Sequence, residues 1–458
     1  MSLGILLIIF AISLAFVLLS IIKFKMHPFL SLLIGGLIMG ILAGMQLTDV
    51  ANGLASGFGS TMEGIGIIIV LGIALGELLH VSGCTGQIAS LMLRLTGKKK
   101  TPLAVNLTGY IVSIPVFFDA AFVILINLIK SLSRKGKVPF VTLVTALSIG
   151  LITTHALVIP TPGPLAVAGT MSVNIGWFLL YSIIVSLPAS LIGGVLYGKY
   201  LGSKDEYALD FANAFDDIDE TEENKSDHKL PSGGLGIFLI FLPIIIILLG
   251  TLASIIFAKD TAPYIFFSFL GNKNIALLIG VIIAFLCLRP YLKNSFTEVI
   301  TEAAGQAGII LAITGAGGAF GKIINNTGIG KLLVEGMAGF TGAIGILSIV
   351  SAFVISQVLR AAQGSTTVAL ITTSAIFAPL LASLPGVSPV LVGLAICAGG
   401  IGISLPNDSG YWVVNRFSKF TIKQTMQVWT VGGTISGVVA LIGILILSLF
   451  TGVLPGLL

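Results

Sequence analysis

A chain of 458 residues that is 56% hydrophobic and 9% charged, with a mean hydropathy of +1.09, cannot cover its apolar surface in water and belongs in a bilayer. Its net charge of +5 fits an excess of Lys and Arg in cytoplasmic loops, which argues against a nucleic-acid partner. Cys84, Cys287 and Cys397 are scattered without metal-ligand spacing, so neither metal nor cofactor is expected.

The chain opens on LGILLIIFAISLAFVLLSII, about 20 apolar residues before Lys23, enough for a full span, with no small-residue cleavage site behind it. It reads as a retained helix. Placing Lys23 and Lys25 in the cytoplasm puts both termini outside, and spans follow at about 27 to 45 and 64 to 82. The run PLAVNLTGYIVSIPVFFDAAFVILINL is then bounded by lysines at 98 to 100 and by Lys130, Arg134, Lys135 and Lys137. It is too short for two spans and Pro115 interrupts it, so a re-entrant hairpin over 102–129, opening to the cytoplasm with Asp119 near its tip, satisfies both constraints. A span from about Val138 is broken by IPTPGP at 159–164, and another runs from about 177 to 198.

Residues 202–234 break the apolar pattern. Ten of the 19 Asp and Glu lie there, as expected of a solvated cytoplasmic linker between a first unit, 1–201, and a second, 235–458. The second unit predicts spans at about 236 to 257, 275 to 290 and 305 to 326. An outside-opening hairpin over 344–382 follows, tipped by AAQGSTT, then a span interrupted by SLPNDSG and a last helix at about 426 to 450.

GIALGELLHVSG at 72–83 returns as GGAFGKIINNTG at 317–328, so the chain is built twice. Five spans and a hairpin per unit is an odd count, which inverts one unit against the other. The expected fold is an all-α polytopic membrane protein of two inverted-topology repeats, with re-entrant hairpins and helices broken at mid-membrane. Glu77 and Lys322 occupy equivalent repeat positions with opposite charge and are predicted to pair across the pseudo-twofold axis.

Non-helical backbone at membrane depth must be buried in protein or line a cavity, so the two hairpin tips and the two broken helices are expected to converge on one site. Half-helix N-termini there favour a carboxylate, and small hydroxyl and amide side chains suit a polyhydroxylated ligand.

Six blocks in order, HPF at 27–29, PVFFDAAFVIL at 115–125, THALVIPTPGPLAVAG at 154–169, GAGGAFGKIINNTGIG at 315–330, AAQGSTTVAL at 361–370 and SLPNDSGYWVVNRF at 404–417, carry a family resemblance over nearly the whole length. The chain resembles the gluconate permease (gluconate:proton symporter) family of the ion transporter superfamily. Its members are similar in moving gluconate and related sugar acids, or in one branch D-serine, together with protons. The resemblance implies an inner-membrane secondary transporter that imports a sugar acid by alternating access.

Candidate residues follow. A carboxylate at mid-bilayer costs roughly 2.5 to 3.5 kcal/mol, so Asp119 is read as a proton or substrate group, against a structural hydrogen bond at the tip. Asp408 could couple protons or cap exposed amides. Gln363, Gly364, Ser365 and Thr366 at one tip, with Asn407 and Ser409 at the opposing break, are placed to hold a carboxylate and hydroxyls, or to cap locally; Thr161 and Gly163 are similar. Arg360 could meet the substrate carboxylate or Asp408, and His155 could relay protons or be a core residue.

Four rivals are weighed: a carrier of D-serine or another small hydroxy or amino acid, a sodium-coupled carboxylate symporter, a membrane enzyme and a passive channel. The enzyme is disfavoured because neither HExxH nor CxxC occurs, and the channel because the mid-membrane breaks come without a ring of repeated filter residues. Long apolar scaffold faces would suit a homodimer.

Overall fold

The structure, a computed structural model, describes residues 3–96, 101–204, 230–259, 261–292, 295–328, 341–382, 384, 386–406 and 408–457. The charged part of the acidic linker and Asn407 lie outside the described residues.

All regular structure among the described residues is helical. The first unit contains α1 Leu3–Ile22, α2 Pro28–Leu42, α3 Leu47–Val81 and α4 Cys84–Thr96. It continues as α5 Thr101–Val112, α6 Phe118–Gly136, α7 Phe140–Leu157, α8 Pro162–Thr170 and α9 Ile175–Ser190. The second contains α10 Gly233–Ile256, α11 Ala262–Leu270, α12 Lys273–Leu288 and α13 Phe296–Asn326. It continues as α14 Thr341–Gln363, α15 Thr366–Leu381, α16 Pro389–Gly399, α17 Ser409–Ser418 and α18 Gly432–Ser448. Among the described residues eight helical stretches are long and apolar enough to cross a bilayer, or nine with α3, which bends by 45° between Gly64 and Gly66. The chain is an all-α polytopic membrane protein.

The expected breaks are present. A turn at 113–117 around Pro115 separates α5 from α6, residues 158–161 separate α7 from α8, and residues 400–408 separate α16 from α17. Gly364 parts α14 from α15 at φ +70°, a left-handed conformation that glycine adopts without steric cost. Two helices are each loosened by one π-turn, at Leu191–Leu196 and at Met426–Val431.

Two elements run longer than the sequence suggests. α3 starts at Leu47 rather than near 64, and α13 starts at Phe296, fastened by the Ser295/Glu298 capping box. Gly, Ser and Asn interrupt the apolar pattern of 47–64, yet those small residues let α3 lie against α13. A Cβ on Gly57 would meet the Gly318 carbonyl at 2.5 Å. Helices α4 and α11 were not anticipated either, being too short to read as spans.

Helix α7 lies at the centre of the body that carries the site. FVTLVTALSIGLITTHAL is apolar all round, and every one of its residues is buried, as expected of a helix without a solvent or lipid face. Gly150 allows α5 to approach it, since a Cβ there would strike the Asn106 carbonyl. The Asn106 side chain in turn donates to the carbonyls of Ala146 (2.9 Å) and Ser190 (3.2 Å) and accepts from the Ser190 hydroxyl (3.0 Å). It thereby satisfies backbone that the following π-turn loosens.

Candidate functional site

A cavity of ≈ 580 Å³ opens where the α5–α6 turn, the α14–α15 turn and the α16–α17 break come together. Phe117, Phe118 and Asp119 supply one wall, residues 364–368 another, and Asp408, Ser409 and Gly410 a third. Glu77 and His80 of α3, with Glu302, Gln306, Ile309 and Ile313 of α13, close it from the opposite side.

An ion pair anchors the wall. Arg360, in the last turn of α14, is 1% exposed, and its Nη2 lies 2.6 Å from Asp408 Oδ2. The same Nη2 reaches Ser404 Oγ at 3.1 Å, and that hydroxyl donates to Asp408. Trp429 Nε1, from the second π-turn, lies 2.7 Å from Ser404 Oγ and 3.0 Å from Asp408 Oδ2. Asp408 is also the N-cap of α17, its Oδ1 accepting from the Gly410 amide at 3.0 Å. The carboxylate thus receives four donors, three on Oδ2 and one on Oδ1. Arg360 is less satisfied: Nε and Nη1 are buried without a hydrogen-bond partner.

Asp119 differs. It sits in the first turn of α6, is exposed, and accepts one hydrogen bond, from Ser409 Oγ at 3.2 Å across the cavity wall. Ser365 is the N-cap of α15 and accepts from the Val368 amide at 3.4 Å, while Thr366 and Thr367 begin the helix beside it. His155 lies under the cavity floor with Nδ1 unpartnered and its ring 5.9 Å from that of Phe117.

Gly364, Ser365, Thr366, Ser409, Arg360, Asp119, Asp408 and His155 therefore share one cavity. Three expected residues stand apart. The Thr161 hydroxyl donates to the Val158 carbonyl within its own turn and is buried, because the 158–161 break satisfies itself locally. Gly163 packs on Thr367 and Leu370, where a Cβ would meet Leu370 Cδ1 at 2.9 Å. Gln363 lines an adjoining cavity of ≈ 410 Å³ beside Lys25 and His27, which shares Ser365, Val368, Ile309 and Ile313 with the first. The expected Glu77–Lys322 pair is also absent: the two line different cavities.

Ser404 and Trp429 were not singled out in the sequence. Ser404 opens the SLPNDSG block, and a lone Trp in a terminal span needs a partner for its N–H, which was the available signal.

The family model described as GntP family permease matches residues 5–450. An uncharacterized permease of Haemophilus influenzae is 38% identical, covering 94% of this chain and 90% of its own. The D-serine transporter DsdX of Escherichia coli K12 is 34% identical over 95% of this chain and 97% of its own. The low-affinity gluconate transporter of the same strain is 31% identical over 94% and 95%. The solved structure of the Alcanivorax borkumensis YdaH transporter is similar in fold, with a TM-score of 0.67 at 16% identity, covering 94% of this chain and 100% of that one.

Proposed function

Because the chain belongs to the GntP family of permeases, and is a multi-pass transporter rather than an enzyme, we propose that it imports gluconate or a related sugar acid by proton symport with alternating access. The observation that carries this reading is Arg360. A guanidinium that is 1% exposed, with Nε and Nη1 left without partners in a cavity wall, is costly unless an anion completes it. The amides at the start of α15 add a helix N-terminus that favours the same carboxylate. Ser409, Thr366 and Thr367 offer hydroxyls to a polyhydroxylated tail.

The proton belongs on Asp119 in this reading. Asp408 is buried and already engaged by Arg360, Ser404, Trp429 and Gly410, so its role is to hold the guanidinium in place. Asp119 is open to the cavity with a single donor. A carboxylate facing an arriving anion is neutralised most simply by a proton, which ties proton binding to substrate binding. We take the two hairpins and the broken helices as one body moving against a scaffold of the first two spans of each unit, α1, α2, α10 and α12, with the two units related by inversion.

Asp119 also supports a second reading. An open carboxylate across the cavity from Arg360 could meet the ammonium of D-serine while the guanidinium takes its carboxylate.

Uptake of labelled gluconate into proteoliposomes, with an inward proton gradient and choline replacing sodium, tests both. The proposal expects concentrative uptake that collapses with an uncoupler and in Asp119→Asn. Uptake of D-serine in place of gluconate would favour the second reading. A requirement for sodium would replace the coupling ion.

A further inference from the structure

The Asp119 cavity has a counterpart. A second cavity of ≈ 510 Å³ is lined by Ser60 and Thr61 of α3, Thr170 of α8, Lys322 and Asn325 of α13, and Ala375 of α15, among others. The same helices wall both cavities at opposite ends. On α3 the lining passes from Ser60 and Thr61 to Glu77 and His80; on α13 it passes from Ile313 to Gly317, and on α15 from Ile371 to Ala375. Each of the last two steps is four residues, about 6 Å of helix at 1.5 Å per residue. The partition is closed tightly, since a Cβ on Gly317 would lie 2.7 Å from that of Ala375.

The internal repeat accounts for this pairing of cavities. Aligning 72–83 with 317–328 sets Glu77 against Lys322 and His80 against Asn325. Both copies end alike: Gly83 and Gly328 each have φ +74°, and the hydroxyls of Ser82 and Thr327 donate to the carbonyls of Leu79 and Ile324. The repeat thus delivers an acid and a histidine to one cavity, and a base and an amide to the other.

We propose that the second cavity is a site for the same small carboxylate on the far side of the partition, with Lys322 as the cation that receives it. The proposal rests on the transporter reading above. An ammonium within a membrane-spanning helix is expensive unless it faces water or an anion. Lys322 is exposed in the cavity, and no carboxylate lies within ion-pair distance of it among the described residues. Thr170 Oγ1 is buried without a partner on the opposite wall, and Ser60, Thr61 and Asn325 add further polar groups. A single cation in a cleft raises the local concentration of anions, whereas the first cavity sets Arg360 among the acids Glu77, Asp119 and Glu302. The two mouths therefore treat the cargo differently: the second collects the anion on one cation, and the first holds it among charges of both signs.

Two measurements test this. Asn325→Cys and Ser409→Cys, labelled by a membrane-impermeant maleimide in right-side-out and inverted vesicles, should react from opposite faces; reaction of both from one face overturns the proposal. This readout needs no cargo, so it stands even if gluconate is not transported. Labelled gluconate offered from the face where Asn325→Cys reacts should show a KM raised roughly tenfold in Lys322→Gln, as for loss of one charge-assisted contact, and restored in Lys322→Arg. The KM from the other face should change far less. An unchanged KM in Lys322→Gln, or an equal rise from both faces, would overturn the role of Lys322.

Discussion

Asp119 and Asp408 look alike in sequence, each a lone carboxylate in an apolar block, and their surroundings separate them. Asp408 is a buried anchor with a charged partner, so Asp408→Ala leaves Arg360 uncompensated and should cost about 3–5 kcal/mol, read as a lowered unfolding midpoint in detergent. Asp119→Asn keeps an oxygen that can accept from Ser409 at an exposed position and should leave that midpoint nearly unchanged while abolishing proton-driven uptake. Equal loss of stability in the two variants would contradict the assignment. Trp429→Phe keeps the ring packed on Phe118, 4.5 Å away, but removes the N–H shared by Ser404 and Asp408. A loss of about 1–3 kcal/mol is expected in the same assay.

The helices are shaped by where their backbone can approach or must open. α5 and α7 meet through Gly150, so Gly150→Val should drive them apart and destabilise the protein by roughly 1–3 kcal/mol, detectable as an earlier thermal transition. The π-turns at Leu191–Leu196 and Met426–Val431 are each met by a polar group. Asn106 bonds the Ser190 carbonyl at the first, and the Thr430 hydroxyl donates to the Ser404 carbonyl at the second. Such loosened turns recur at functional sites, and the second one presents Trp429 to Asp408. The small residues of 47–64, which disguise that segment as a loop, are the ones that let α3 lie along α13.

Across the whole molecule, a single open carboxylate on the hairpin body predicts one proton per monoanion. Uptake would then be electroneutral and indifferent to a clamped membrane potential, which is worth about 2.3 kcal/mol per charge per 100 mV when charge does move. Acceleration by an inside-negative potential would require a second proton, with Glu77 or Glu302 as the nearest further acids on the cavity. By itself the sequence determined that the chain spans a bilayer and where its helices must stop. Composition sets the solvent, and Pro115, IPTPGP, the glycine of AAQGSTT and SLPNDSG each fall where a helix stops, although Pro188, Pro243 and Pro379 lie inside helices. It also brought Asp119, Arg360, Ser365 and Asp408 to one site, because unpaired backbone in lipid has few places to go. Only the tertiary structure decided the partners. That Arg360 meets Asp408, that Trp429 joins them, that Thr161, Gly163 and Gln363 turn aside, and that Glu77 and Lys322 face separate cavities all depend on rotations and contacts between helices far apart in the chain. Local propensity carries no information about such contacts, since a helix is equally regular whichever side chain it turns toward its neighbour.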